Sequence, residues 1–138
     1  MAISKRLVVI YLALLLLAHL TAVFFGWYVY FWIDITFHFL GGTWAALFFF
    51  LLFDHFVGEH AHHQTSEKIK ILIIAASFTS LLGVFWEAQQ FIMSEYFSIY
   101  LQRSVSDMII SMMVDILGGV VVSMAILYLK NNQSKPVQ

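Results

Sequence analysis

Residues 33–57 read IDITFHFLGGTWAALFFFLLFDHFV. A helix crosses a bilayer with about 20 mostly apolar residues, and this run is long enough to do so. Yet Asp34 and His38 are set into its first half. A charge at the centre of a spanning helix costs about 2.5–3.5 kcal/mol on insertion scales. Residues four apart stack on one helix face, so Asp34 and His38 share a face, with Gly41 and Gly42 on or beside it. Lipid does not tolerate exposed charge, so that face should turn toward other helices.

Three more stretches qualify on the same criterion, at residues 7–28, 69–93 and 105–129. The expected fold is therefore an all-α polytopic membrane protein, a four-transmembrane-helix bundle with short connections at 29–32, 58–68 and 94–104. Residues 1–130 form the membrane domain and residues 131–138 a polar tail. Composition agrees. The chain of 138 residues is 62% hydrophobic and 11% charged, with mean hydropathy +0.87. A soluble domain carries roughly 25% charged residues. A net charge of −1 supplies no basic field, which argues against a nucleic-acid partner. The absence of cysteine excludes disulfides, thiolate catalysis and cysteine-ligated zinc. The single proline, Pro136, lies in the tail, so no span is kinked by proline. Lys5 and Arg6 before the first run resemble a signal peptide. The run is longer than a signal core and lacks a clear small-x-small cleavage site, so it reads as a retained helix.

Orientation follows from the basic residues. With four spans, Lys5, Arg6, Lys68, Lys70, Lys130 and Lys135 fall on one side, which should be the cytoplasm. Both termini are then cytoplasmic and the chain is a multi-pass protein of the cell (inner) membrane. Arg103 is left for the other side. Trp27, Tyr28, Tyr30, Trp32, Tyr96 and Tyr100 would form an aromatic belt at the outer interface.

The remaining polar residues fall at nearly the same depth. Asp107, Ser111 and Asp115 follow one another at four-residue steps, and Gly118 and Gly119 come next. Glu87 and Gln90 share a face near the outer end of the third span, and Arg103 stands just before the fourth. Asp34 and Asp107 lie near helix starts, where aspartate is a common cap, and each alone reads more readily as a cap than as a ligand. Glu87 and Asp115 lie too deep for that explanation. His38-x-x-Gly41-Gly42 also matches Asp115-x-x-Gly118-Gly119, the spacing a duplicated two-helix unit would leave. His19, mid-way along the first span, needs no more than one hydrogen bond to a neighbouring helix. Asp54 and His55 end the second span at the interface, where charge is cheap. The loop holding His60, His62 and His63 has metal-capable side chains but reads first as solvated. His19, His38 and His55 do not make a facing pair for haem.

The series Asp34-x3-His38-Phe39, Glu87-x2-Gln90, Arg103-x3-Asp107, Asp115-x2-Gly118-Gly119 resembles that of the VanZ-like and YjdF-like small integral membrane proteins. The resemblance covers residues 34–119. Ser111 stands where an acid is often found in those proteins, and Asp115 where VanZ-like proteins usually have asparagine. The resemblance implies cell-envelope biology and no particular reaction.

Three functions fit the residues. In the first, the outer half of the bundle binds or acts on an envelope or lipid-linked substrate. Glu87, His38 and Asp115 would do the acid–base chemistry, and Arg103, Gln90 and Asp34 would hold the substrate. Four acids, Asp34, Glu87, Asp107 and Asp115, face Arg103 and His38, so either protons or a cation must balance them. A divalent cation on Glu87, Asp107, Asp115 and His38 is the candidate cofactor. The second function is a proton or ion pathway or small transporter. The third is a non-enzymatic assembly protein in which the cluster is a structural lock. The lipid bilayer is the certain partner, and a homo-oligomer is a candidate assembly.

Overall fold

Gly26 ends the first span. Its φ of +68° is the left-handed conformation that glycine adopts without strain, and it stops α1 (Lys5–Phe24) before a short 3-10 turn at Trp27–Val29. Three long helices follow: α2 (Phe31–Leu52), α4 (Thr65–Phe97) and α5 (Val105–Gln133). A short helix, α3 (Asp54–His60), leads from α2 toward α4. The structure, a computed structural model, describes residues 3–60, 65–97 and 104–133. Among these the protein is all-α, and α1, α2, α4 and most of α5 are each long and apolar enough to cross a membrane.

The bounds differ from the hydropathy reading in places with physical causes. The second span breaks at Phe53, because Asp54 leaves the apolar layer to pair with Lys130 at 2.7 Å. α4 runs well beyond residues 69–93, and at 1.5 Å per residue its polar ends reach past the hydrocarbon layer. α5 continues through Gln133. Tyr28 does not join an interfacial belt. It is buried, and its hydroxyl pairs with His19 Nδ1. Trp27, Tyr30, Trp32 and Tyr96 are exposed, and Tyr100 lies outside the described residues.

In lipid there is no hydrophobic drive to press helices together, so packing and interhelical hydrogen bonds must do it. The α2–α5 seam shows both. Ser111 donates to Asp34, and His38 pairs with Asp115; both pairs lie 77 positions apart in sequence. The constant offset makes α2 and α5 parallel neighbours, with the matching positions of the two His/Asp-x-x-Gly-Gly segments side by side. Glycines let the backbones meet. A Cβ on Gly42 would stand 2.0 Å from the Asp115 carbonyl oxygen, and one on Gly118 2.4 Å from that of Phe39. α4 runs antiparallel across both. Its Thr79 lies under Gly119, and Lys68 bonds Asn131 at 2.6 Å.

Two apolar layers enclose the polar level. Toward the end carrying Lys5, Arg6, Lys68, Lys70 and Lys130, the core is filled by Phe49, Phe50, Ile71, Ile126 and Leu127. Toward the other end Ala22 and Tyr28 pack with Ile33, Phe37 and Met93. α1 is the loosest member. It rests on α2 through Trp44 Nε1 donating to the Val8 carbonyl at 3.0 Å and Tyr11 Oη donating to that of Leu40 at 3.0 Å. No Cα of α1 comes within 8 Å of one in α4 among the described residues. The outer surface is apolar, with Leu14, Leu17, Phe85 and Met113 among its exposed side chains. Such a surface suits hydrocarbon.

Candidate functional site

His38 is the centre of the polar level, and its ring is fully buried. Its Nδ1 lies 3.0 Å from Asp115 Oδ2 on α5. Its Nε2 lies 3.3 Å from Glu87 Oε1 on α4 and 3.6 Å from Asp34 Oδ1, one turn back on α2. Three helices thus bring a carboxylate each to one imidazole. Neither Nε2 nor Asp34 Oδ1 has an aligned hydrogen-bond partner, and both are buried. Asp34 Oδ2 accepts from Ser111 Oγ at 3.3 Å. Gln90 is buried one turn from Glu87, and its Nε2 also has no partner.

These positions separate the two aspartates near helix starts. Asp34 lies in the first turn of α2 yet is buried, with its carboxylate turned to Ser111 and His38. α5 begins at Val105 behind Ser104. The Ser104 hydroxyl accepts from the Asp107 backbone N–H at 3.2 Å and donates to its carboxylate at 2.9 Å. Asp107 is thus the third residue of a capping pair and stays out of the cluster. Of the four candidate metal ligands, the structure brings together His38, Glu87 and Asp115. Among the described residues no three His, Asp or Glu side chains are grouped as a metal would need. The imidazole stands between the carboxylates, with both nitrogens turned to acids. Arg103, His62 and His63 lie outside the described residues.

A cavity of about 90 Å³ adjoins the cluster. Its walls are Leu12 and Leu16 of α1, Trp44 of α2, and Leu82 and Trp86 of α4. His38 and Asp115 form its polar end. Two glycines approach the buried Asp115 carboxylate closely. A Cβ on Gly83 would stand 2.7 Å from Oδ2, and one on Gly41 3.7 Å from Oδ1. His19 lies beyond this wall, its ring centroid 4.7 Å from that of Trp86 and 5.9 Å from that of Phe37. Its ring bonds the Tyr28 hydroxyl, which sits in the 3-10 turn after α1 and not on a neighbouring helix.

Sequence reasoning passed over Gly83, Trp44 and Trp86. Gly83 carried a signal, since a lone glycine within an apolar span marks close approach. The tryptophans carried none, because an aromatic in a spanning helix reads equally as lipid-facing.

Fold and site define a class: a four-span membrane bundle holding a buried imidazole among three carboxylates beside an apolar cavity. The chain belongs to the family described as "Predicted membrane protein (DUF2238)", whose model matches residues 2–132. No curated protein and no solved structure is matched.

Proposed function

We propose that this protein binds or acts on a membrane-borne substrate of envelope or lipid-linked type, with acid–base chemistry at His38, Asp115 and Glu87. One observation carries the reading. The buried acid–imidazole cluster adjoins a leucine- and tryptophan-walled cavity with room for part of a ligand. Asp115 on Nδ1 fixes the ring plane, which leaves Nε2 for proton traffic with Glu87 and Asp34. Three carboxylates around one imidazole cannot all be ionised cheaply in an apolar interior, so protons are held in common there. The likeness to VanZ-like and YjdF-like proteins supports an envelope setting. The basic residues gathered at one end support cytoplasmic termini and an inner-membrane location.

A continuous ion path gains no support from the Phe49, Phe50 and Ile71 layer, which fills the basic end of the bundle. The structural-lock reading does have an observation behind it, since the His38–Asp115 and Asp34–Ser111 bonds tie α2 to α5. Glu87→Gln separates the two, because Glu87 makes no aligned bond to His38. Wild-type protein extracted from its own membranes should carry a defined amphiphile in native mass spectrometry. The Gln variant should keep its thermal transition and lose that amphiphile. A variant that unfolds would instead favour the lock, and one that keeps the amphiphile would refute the substrate reading.

A further inference from the structure

The cavity beside His38 is walled in part by α1, the most loosely held of the long helices. Its walls come from α1, α2 and α4, while α5 contributes Asp115 at the inner end. The α1 and α4 backbones stay more than 8 Å apart, so only side chains close that side, with His19 against Trp86 as one such contact. An entrance on that side, between α1 and α4, would open toward lipid. A molecule entering there must first partition into the bilayer, and the leucines suit a hydrocarbon chain.

The inner end selects the head group. Asp115 presents its carboxylate between Gly41 and Gly83. Behind His38 stand two more carboxylates, Asp34 and Glu87, so acids outnumber the imidazole three to one. His38 itself is fully buried and lines this end, with its Nε2 turned toward Glu87 and Asp34. Because these acids hold protons in common, an ammonium head can take the place of a shared proton there, and an anionic head cannot. Trp44, Trp86 and Phe37 line the same cavity, and aromatic faces hold ammonium groups well once water is gone. The volume of about 90 Å³ limits the head to a small group.

We propose that this crevice takes an amphiphilic amine, its small ammonium head seated against Asp115 and its alkyl chain leaving between α1 and α4 into the bilayer. This narrows the substrate class and rests on reading the cluster as a substrate site.

The test uses the full chain in a neutral maltoside detergent, titrated with octylammonium, octyl phosphate or octanol. Binding is read by calorimetry and by the fluorescence of Trp44 and Trp86. Octylammonium should bind saturably, with the other two weaker by about tenfold or more. Asp115→Asn should abolish octylammonium binding. Because Asp115 also bonds His38, Gly41→Ala is the second variant. Its Cβ has ordinary contact distance to Asp115, so the fold and the His38–Asp115 bond persist while the cavity narrows. It should weaken binding by about fivefold or more with an unchanged thermal transition. Leu14→Ala, on the lipid side, should bind as wild type. Octyl phosphate or octanol binding as tightly as octylammonium overturns the proposal, as does wild-type affinity in Gly41→Ala. If no octyl probe binds but wild-type protein still carries an amphiphile that Glu87→Gln loses, the ammonium class falls and the site reading stands.

Discussion

Replacing Gly42 by alanine should loosen the bundle far more than the same change at its neighbour Gly41. A Cβ on Gly42 would lie 2.0 Å from the Asp115 carbonyl oxygen, 2.7 Å from its carbonyl carbon and 2.9 Å from its Cα. All three atoms are backbone, so no side-chain rotation relieves the overlap. Ordinary heavy-atom contact needs about 3.5 Å, so α2 and α5 must part by roughly 1 Å or more. That displacement carries His38 Nδ1 from 3.0 Å to beyond hydrogen-bond range of Asp115, and the 3.3 Å Ser111–Asp34 bond goes with it. Overpacking costs about 1–3 kcal/mol. Interhelical hydrogen bonds in membranes average about 0.6 kcal/mol, reaching about 1.7. The sum is about 2–5 kcal/mol. At Gly41 the added Cβ would lie 3.7 Å from Asp115 Oδ1, an ordinary contact, and the expected change is below about 1 kcal/mol. Reversible unfolding in mixed micelles, titrated with a denaturing detergent, measures both variants against wild type. Equal stability of the two would refute the close-approach account of the α2–α5 seam.

Other outcomes follow from particular contacts. Ser104→Ala removes the cap of α5 and should cost about 1 kcal/mol in the same unfolding assay while leaving amphiphile binding intact, since Asp107 stands apart from the cluster. Lys130→Met breaks a pair whose Asp54 partner is half exposed, so its effect on the thermal transition should stay within about 1 kcal/mol. A reporter active only in the cytoplasm, fused after Gln138, should be active; a signal from a periplasm-only reporter at that position would reverse the assigned orientation.

Much of this was legible in the chain because lipid leaves few solutions. Four long apolar runs fix four spans, and Glu87 and Asp115 lie too deep to be caps. The His38-x-x-Gly-Gly and Asp115-x-x-Gly-Gly segments share the spacing a duplicated two-helix unit would leave, and that they lie side by side was not legible from it. Asp34 and Asp107 were harder, since their roles turn on where each helix starts. A cue was present even so: Ser104 stands three residues before Asp107, the spacing of a capping pair, whereas Phe31 stands three before Asp34. Gly26 sits within an apolar run and ends α1 by backbone conformation, which hydropathy does not register. The cavity was not legible, because its shape depends on α1 leaning on α2 without reaching α4.

The offset of 77 residues between the paired positions of α2 and α5 also sets a schedule for synthesis. Ribosomes add about 5–20 residues per second, so α2 is made about 4–15 s before the part of α5 that answers it. During that interval Asp34 and His38 have neither Ser111 nor Asp115 to bond, and their polar face is poorly suited to lipid. The first two spans are therefore best kept within or beside the insertion machinery until the last one arrives. A chain cut short before α5 should be released poorly into the bilayer and cleared by membrane proteases.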